Sequence, residues 1–402
     1  MRWRREQPDS DASEPDPSLP EDGAEDEPAS DAPDSAEAAP DTGPAATPPS
    51  VWADHEVSSQ PVHDLPDVPV DLGRVDPQEL QRAIRRAATR AIAEDLGDRG
   101  DLTSIATVPA DRDGAADFTV RRGGVIAGLD VAREVFLQVD PRVTFAAMAA
   151  DGDQVDAGDV IATVEGSLRS ILTAERTALN FLGHLSGIAT QTRAYTEAVA
   201  GTGAVVRDTR KTTPGLRLLD KAAVAAGGGS NHRVGLYDAI LVKDNHVVAA
   251  GGVGEAAQAA MKGAHGRHVQ VEVTSLDQID EVLRAGVKDV LVDNFAPDEV
   301  AQAVRRIAGR ARVEASGTIT LDTIRDYAEA GADRIACGAL THSAPWLDIA
   351  LDVRPVPQDE IVGGRDDDDW TLATILGDGI RLNDPEELEL AGPGDLPFID
   401  AD

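Results

Sequence analysis

The second half of the chain alternates short apolar segments with helical stretches, and this rhythm limits the possible folds more than any other feature. From about residue 203, each apolar segment of about five residues is followed by a helical pattern of about ten to fourteen residues. Such βα repeats are typical of a parallel sheet. Six or seven units in about 140 residues favour a barrel or near-barrel over a doubly wound open sheet. The predicted strands are 204–208, 239–243, 269–273, 289–293, 312–316 and 334–338, with helices such as 276–285 and 297–308 between them.

The first half follows a different pattern. Asp76 and Pro77 fit the N-cap and first position of a helix whose apolar face continues to Ile92. Extended pieces follow at 118–121, 124–128, 142–146 and 159–164, broken by glycine-containing turns, with a helix near 131–139. A small sheet packed on helices therefore fits residues 77 to about 168. A long helix from Leu168 to about Ala200 leads out of this first domain.

The two ends of the chain are far more acidic than its middle. Residues 1–73 carry 19 acidic and three basic residues, and residues 354–402 carry 14 acidic and three basic residues. Of the formal net charge of −35, only −8 falls on residues 74–353. Because the N-terminal segment has almost no apolar periodicity and the C-terminal segment has only short apolar pieces, we predict disordered acidic extensions around a folded middle. The alternative for the C-terminal extension is that its apolar pieces at 370–376 and 380–382 fold onto the surface.

Composition also bears on partners and location. The acidity, with only five lysines, resembles that of proteins kept soluble at high salt, and it argues against nucleic acid or an anionic membrane as a general partner. We find no apolar run of membrane-helix length and no signal peptide. Cys337 is the only cysteine, so no internal disulfide can form, and a reducing cytoplasm is the expected location.

Polar residues stand where the predicted strands end. They are Arg207, Lys243, Glu272, Asp293, Glu314 with Ser316, and Gly338. In a parallel barrel these positions converge on the carboxyl-terminal face, where such folds hold their active sites. A structural alternative stays open for two of them, since Glu272 and Lys243 could form an internal ion pair that stabilises the barrel core.

Cations concentrate in one part of this predicted rim. Three of the five lysines, at 211, 221 and 243, fall within 33 residues. We interpret the cations here as a clamp for a substrate with several carboxylates or phosphates, while a solvated basic loop is the alternative. The clamp residues would be Arg207, Arg210, Lys211, Arg233 and Lys243.

Two further features complete the rim. Glu272 and Asp293 suit Mg²⁺, which prefers one or two carboxylates together with phosphate oxygens and water. The turn Ser316-Gly317-Thr318 precedes a helix predicted near Leu321, and Gly338 follows the next strand. Loops of this kind cradle a phosphate monoester.

Two more segments carry polar groups that spacing alone does not assign. In the long helix, Arg176, Asn180 and His184 recur every four residues and share one face, which fits a polar flank as well as a functional surface. The glycine-rich loop GGGSNHR at 227–233 fits a mobile or close-approach segment as well as a plain linker.

Together these segments resemble the quinolinate phosphoribosyltransferase family, the carboxylating nicotinate-nucleotide pyrophosphorylases. The matching motifs run in unbroken order over roughly residues 77–353, which makes the resemblance highly specific. They are TAERTALN at 173–180, SGIAT at 186–190, RDTRKTTPGLR at 207–217, GGGSNHR at 227–233, KDNH at 243–246, VEV at 271–273, DNF at 293–295, EASG at 314–317 and GALTHS at 338–343.

The resemblance implies an α/β fold with two domains in each subunit of a head-to-tail homodimer. An α/β sandwich would cover residues 74–183, with 345–353 able to return to it, and an open, incomplete α/β barrel would cover 184–344. The implied reaction transfers the phosphoribosyl group of phosphoribosyl pyrophosphate to quinolinate. Pyrophosphate and carbon dioxide leave, and nicotinate mononucleotide for NAD biosynthesis remains.

Matching positions also imply the site residues. Substrates would be bound by Thr209, Arg210, Lys211, His232, Arg233, Lys243 and His342, with Arg176 reaching in from the partner subunit. The 5-phosphate would be cradled by Ser316, Gly317 and Gly338. The catalytic group would be Lys211, Lys243, Glu272 and Asp293, with the two carboxylates holding Mg²⁺.

One departure from the family pattern and three alternatives stay open. Thr318 stands where a second glycine is expected, which puts in doubt how closely the backbone there can approach a phosphate. A related homologue associated with molybdenum transport could use the same barrel on another acceptor. Lys243 could instead form a Schiff base in a barrel lyase. A catalytically silent binding protein is the third alternative.

Overall fold

The computed structural model describes residues 75–354. The predicted disorder of residues 1–73, and of the acidic extension beyond residue 354, lies outside the described residues. Within the described range the protein is α/β, with an N-terminal sheet domain followed by a C-terminal parallel sheet, which confirms the predicted fold class.

The N-terminal sheet has four antiparallel strands. They are β1 (Asp113–Val120), β3 (Thr144–Ala147), β5 (Val160–Ser167) and β12 (Ile349–Val353), in the order β12-β1-β5-β3. A separate short ribbon pairs β2 (Gly124–Val125) with β4 (Gln154–Val155). β1 begins five residues before the predicted Phe118. Its first half, DGAAD, has low strand propensity, but pairing with β5 on one side and β12 on the other overrides that preference.

Three helices accompany this sheet. They are α1 (Pro77–Leu96), α2 (Leu102–Thr107) and α3 (Leu129–Val139). Asp76 caps α1 as predicted, because its carboxylate accepts hydrogen bonds of 2.9 Å from two backbone amides of the first turn. The rings of Phe118, Phe136 and Phe145 lie 5.8 to 5.9 Å apart and join the sheet to α3 in one apolar core.

The 31-residue helix α4 (Leu168–Ala198) contacts both sheets. The segment before β12 packs directly against its middle, where the Leu347 amide donates to the Gly183 carbonyl at 2.9 Å. A side chain at Gly187 would collide with the carbonyl of Pro345, so a glycine is needed at this close approach. Because α4 runs through the domain boundary that we predict at residues 183 and 184, that boundary stays a prediction.

The C-terminal sheet has six parallel strands at the predicted positions. They are β6 (Val205–Arg207), β7 (Ile240–Val242), β8 (Val269–Val273), β9 (Asp289–Asp293), β10 (Arg312–Ser316) and β11 (Arg334–Ala336), in the order β6-β11-β10-β9-β8-β7. The first strand lies beside the last, and the ladder between β6 and β7 is missing from the described residues. This is the strand order of a barrel that stays open at one seam, as predicted.

Helices alternate with these strands. They are α5 (Arg217–Ala226), α6 (Asp244–Ala250), α7 (Val253–Gly263), α8 (Leu276–Arg284), α9 (Pro297–Ile307), α10 (Ile324–Glu329) and α11 (Ala339–His342). In the part of the chain that the structure describes, none of the helices is long and apolar enough to cross a bilayer.

The glycine-rich loop lies in the open seam. Ser230 forms an isolated parallel bridge with Arg207 of β6, and Nη1 of Arg233 donates to the Ala239 carbonyl, just before β7, at 2.9 Å. The Nε2 atom of His232 lies 2.9 Å from Oε1 of Gln270 in β8. The end of this loop is thus part of the barrel wall.

Candidate active site

The carboxyl-terminal rim carries most of the predicted clamp. Arg210 and Lys211, which follow β6, are exposed, and Lys243, which follows β7, has a side chain 47% exposed. Arg233 is buried, and its pKa is lowered first by burial and then by the charge of Arg210, against the opposing charge of Asp238. Two guanidinium groups that repel one another in this way favour an anion between or beside them.

Lys243 pairs with a buried carboxylate. Its Nζ atom lies 2.5 Å from Oε2 of Glu272, whose side chain is only 5% exposed. The ion pair that we considered as a structural alternative is therefore present. Because the lysine side chain is about half exposed at the rim, the same pair also presents a cation to a ligand.

The two predicted metal ligands lie on one side of the sheet. Glu272 is level with Leu291 of β9, and Asp293 stands two residues further along that strand, so all three side chains point the same way. Strand geometry places the two carboxylate-bearing Cα atoms about 8 Å apart. Among residues 75–354 no group of three potential ligands is clustered. Two carboxylates fit a Mg²⁺ ion that takes its other ligands from phosphates and water.

Arg207 does not belong to the clamp, which corrects our interpretation of the strand ends. Its side chain is fully buried, with Nη1 2.8 Å from Oε2 of Glu314 and Nη2 donating to the Asn231 carbonyl at 3.0 Å. Glu314 is equally buried. Both residues reach into the barrel, where they form an internal ion pair and leave no charge for a ligand.

His232 is a buried, neutral group. Burial lowers its pKa to about 4. Its Nδ1 atom accepts a hydrogen bond of 2.7 Å from the Arg233 amide, so the proton lies on Nε2, which faces Gln270. As placed, the ring therefore orients Arg233 and presents no positive charge to a substrate.

The segment after β6 is shaped by its own hydrogen bonds. The hydroxyl of Thr209 accepts from the Lys211 amide at 3.0 Å, and the hydroxyl of Thr341 donates to the Lys211 carbonyl at 2.8 Å. A Cβ atom at Gly338 would lie 2.9 Å from Cδ of Lys211 and 3.2 Å from Nε2 of His342. These four predicted site residues, Thr209, Lys211, Gly338 and His342, thus lie together.

The predicted phosphate loop occupies neighbouring strand ends. Ser316 lies opposite Asp293 in the parallel register, and Gly317 has φ of +133° with its Cα packed against Asn294. The next helix begins at Ile324 rather than near residue 321, because a hydrogen-bonded turn over 320–323 comes first. Thr318 is not among the described non-glycine residues with positive φ, so threonine stands there without backbone strain.

A cavity of about 810 Å³ lies beside this rim. Its walls include Arg176, Asn180 and His184 from one face of α4, with Lys211 and His342 from the barrel. Arg176 is exposed, its side chain forms no described hydrogen bond or salt bridge, and its charge acts on the carboxylate of the neighbouring Glu175. The predicted helix face therefore opens onto the candidate site.

Sequence reasoning missed the residues that support the site from behind. The fully buried carboxylate of Asp208 accepts hydrogen bonds from Nζ of Lys221 at 2.7 Å, Nδ2 of Asn231 at 2.8 Å and the amide of His232 at 2.7 Å. Burial raises the pKa of Asp208 and lowers the pKa of Lys221. The sequence did contain one signal for Lys221. The chain has only five lysines, and Lys221 lies between Lys211 and Lys243, the two lysines of the predicted clamp.

Two family profiles match the chain. Residues 101–186 match "Quinolinate phosphoribosyl transferase, N-terminal domain", and residues 188–352 match "Quinolinate phosphoribosyl transferase, C-terminal domain". Each sheet of the fold therefore falls largely within its own profile.

Curated relatives agree with the profiles. A nicotinate-nucleotide pyrophosphorylase [carboxylating] of Mycobacterium leprae is 46% identical over 278 residues, covering 67% of this chain and 97% of the relative. A quinolinate phosphoribosyltransferase [decarboxylating] of Nicotiana tabacum is 40% identical over 282 residues, covering 65% of this chain and 80% of the relative.

Solved structures show the same similarity. The nicotinate-nucleotide pyrophosphorylase of Francisella tularensis superposes with a TM-score of 0.67 at 36% identity, covering 71% of this chain and 100% of that one. That of Ehrlichia chaffeensis gives a TM-score of 0.65 at 33% identity, with coverages of 70% and 100%. The chain belongs to the quinolinate phosphoribosyltransferase family.

Proposed function

We propose that this protein transfers the phosphoribosyl group of phosphoribosyl pyrophosphate to the ring nitrogen of quinolinate and releases pyrophosphate and carbon dioxide. The observation that carries the proposal is the rim itself. Exposed Arg210, Lys211 and Lys243 stand at the carboxyl ends of parallel strands, together with the acidic side chains of Glu272 and Asp293. The names of relatives up to 46% identical describe the same reaction.

We assign the acidic substrate to the cationic side of the rim. Arg210 and Arg233, whose charges already repel one another, would bind the carboxylates of quinolinate. Lys211 and Lys243 would face the pyrophosphate end of the donor. His232 would act by orienting Arg233, because its own ring is neutral and both ring nitrogens are engaged.

We assign the donor to the neighbouring strand ends. Ser316, Gly317 and Gly338 would cradle the 5-phosphate, while Glu272 and Asp293 would face the ribose. These two carboxylates would also hold Mg²⁺, which when bound neutralises charge on the pyrophosphate. His342, beside Gly338 and Lys211, would close this side of the site.

The chemistry needs charge placement more than a base. Breaking the bond between C1 of ribose and the pyrophosphate oxygen leaves the electron pair on pyrophosphate and positive charge on the ribose, which nearby carboxylates favour. The ring nitrogen then forms the new bond to C1 and becomes cationic. When the bond to the 2-carboxylate breaks, the electron pair stays at ring carbon 2, stabilised by the cationic nitrogen, and this carbon takes up a proton. The arginines would therefore mainly position the dianion.

We further propose that the protein acts as a homodimer in the cytoplasm and that Arg176 completes the site of the partner subunit. The support is its exposed position on α4, where no described acidic side chain forms a salt bridge with it, and its place in the wall of the rim cavity. A guanidinium group outside any described salt bridge at such a wall is available to an anion on a second copy of the chain.

The decisive assay mixes purified protein with quinolinate, phosphoribosyl pyrophosphate and Mg²⁺, and follows nicotinate mononucleotide and carbon dioxide. We expect both products in equal amounts, and their absence would exclude the proposed reaction. Arg210→Ala should lower kcat/KM about 100-fold, because a charge-assisted bidentate contact contributes roughly 3 kcal/mol. Arg267→Ala, at an exposed arginine of a distant loop, is the matched control. Borohydride trapping of a carbonyl compound on Lys243 would instead support the lyase alternative.

A further inference from the structure

Asp220 is a fully buried carboxylate that the proposed reaction does not use. It lies in the first turn of α5, and both of its oxygens are engaged. The Oδ1 atom lies 2.8 Å from Nε2 of His184 on α4, and Oδ2 accepts a hydrogen bond of 2.8 Å from the backbone amide of Thr213. Neither partner is a lysine or an arginine, so these two contacts are not explained by charge pairing with a permanent cation.

We propose that Asp220 is a positioning residue that fixes the loop from Lys211 to Leu216 against α4, with His184 as its anchor on the helix. The inference rests on the proposed function in one respect, the binding of substrate by Lys211. Thr213 lies only two residues after Lys211, so the position of its amide sets the path of the backbone that carries the lysine.

The surroundings favour this role over simple core packing. The loop is held to the barrel by Thr341, which donates to the Lys211 carbonyl, and to α5 by the first residue of that helix, Arg217, which donates to the Thr212 hydroxyl. Among the described hydrogen bonds, Asp220 and His184 join the loop to α4. A second route runs through α11, where Thr341 donates to the Lys211 carbonyl and Gln191 of α4 donates to the Ala339 carbonyl. His184 lines the rim cavity together with Lys211 and Thr213, so this connection lies in the wall of the candidate site.

Side-chain chemistry separates two substitutions at this position. Alanine leaves the Thr213 amide and the His184 ring without their buried partner, so the loop is free to move. Asparagine can keep both contacts. Its side-chain oxygen accepts from the Thr213 amide, and its side-chain NH₂ group donates to Nε2 of His184 when the ring carries its proton on Nδ1. Geometry would then be preserved although the charge is lost.

The test compares Asp220→Ala and Asp220→Asn with Asp140→Ala. Asp140 is a matched control, since it is also buried and hydrogen-bonded, to Ser170 and Arg142, but lies in the N-terminal sheet domain. We expect Asp220→Ala to lower kcat/KM about 10- to 100-fold, mainly by raising KM, because small displacements of binding groups are costly. Asp220→Asn should stay within about fivefold of the wild type by the same reasoning. Asp140→Ala should lower only the unfolding midpoint, and kinetics of Asp220→Ala equal to those of Asp140→Ala would overturn the proposal.

A double-mutant cycle with Lys211→Ala tests the route of the effect. If Asp220 acts through the lysine, adding Asp220→Ala to Lys211→Ala should change kcat/KM less than about threefold. Effects that multiply would refute the proposed route, whereas normal kinetics of Lys211→Ala alone would refute the site assignment instead. Should Asp220→Ala fail to fold, His184→Leu breaks the anchor alone and should raise KM in the same direction; an unchanged KM would again overturn the proposal.

Discussion

Replacing Lys221 by methionine should destabilise the protein far more than the replacement of an exposed lysine usually does. The side chains of Lys221 and Asp208 are both fully buried, and Nζ donates at 2.7 Å to Oδ1 of Asp208 and at 2.8 Å to the His232 carbonyl. Methionine has nearly the same length but no charge and no donor. It leaves a buried carboxylate without its cation, which costs about 3 to 5 kcal/mol of unfolding free energy.

Two comparison variants isolate the cause. Lys262→Met, at an exposed lysine in the last turn of α7, should change stability by less than about 0.5 kcal/mol. Asp208→Asn combined with Lys221→Met removes both charges, so its cost should fall below the sum of the two single costs by about 1 to 3 kcal/mol. Urea unfolding followed by circular dichroism is measured for the wild type and for the four variants, including Asp208→Asn alone.

The pH dependence supplies an independent check with a defined sign. Burial raises the pKa of Asp208 in the folded protein, so between the ordinary aspartate pKa of about 4 and that raised value the folded state binds more protons than the unfolded state. Stability from this group therefore increases as the pH falls through that window. In Lys221→Met no lysine opposes this rise in the pKa of Asp208. The loss of unfolding free energy relative to the wild type should therefore become smaller from pH 8 to pH 5. A deficit equal to that of Lys262→Met, or one that grows at low pH, would refute this account of the pair.

Three further predictions concern other parts of the site. Burial lowers the pKa of His232 to about 4, so as the pH is lowered from about 6.5 to 4 the unfolded chain takes up a proton before the folded protein does, and the folded protein loses stability. Over this range the wild type should lose on the order of 3 kcal/mol more than His232→Gln, measured by urea unfolding at stepped pH. Gly317→Ala should lower the free energy of unfolding by about 2 to 4 kcal/mol and raise KM for phosphoribosyl pyrophosphate, because φ is +133° and a Cβ would lie 2.7 Å from an asparagine oxygen. Gly263→Ala, at a glycine with open space around it, should change the free energy of unfolding by less than about 1 kcal/mol. Subunits carrying only Arg176→Ala, mixed with subunits carrying only Lys243→Ala, should regain part of the wild-type activity, and verified mixed dimers without any recovery would exclude a site shared between subunits.

Most of the fold could be predicted because its signals are local. Strands β8, β9 and β10 have the predicted bounds, since short apolar runs flanked by helical patterns mark a parallel strand directly. The start of β1 at Asp113 could not be predicted in the same way. Its first residues, from Asp113 to Ala115, become a strand through pairing with residues 165–167 of β5, which lie 50 to 54 residues further along the chain.

The site was predictable where residues act at the strand end and unpredictable where they act through distant partners. Lys243 directly follows β7 and Glu272 lies in the neighbouring β8, each one residue beyond the register pair of Val242 with Val271, so their pairing extends the sheet register. Arg207 obeys the same strand-end rule, yet its side chain turns inward to a glutamate 107 residues away. Asp208 and Asp220 carried no signal in the sequence, because their role depends on which buried donors surround them.

The charges of the rim divide into two sets with different consequences. The buried cations Lys221 and Arg207 are matched by the buried carboxylates of Asp208 and Glu314, so they add little net field at the surface, although breaking one pair is costly. Arg210 and Lys211 are exposed and form no described ion pair, so they supply attraction for an anion. Changes in the first set should therefore lower stability at every salt concentration. Changes in the second set should weaken substrate binding most at low salt, because exposed charges are screened over about 10 Å at 0.1 M salt. Lys243 belongs to both sets, since its side chain is about half exposed while its partner carboxylate is buried, and its removal should therefore affect both stability and binding.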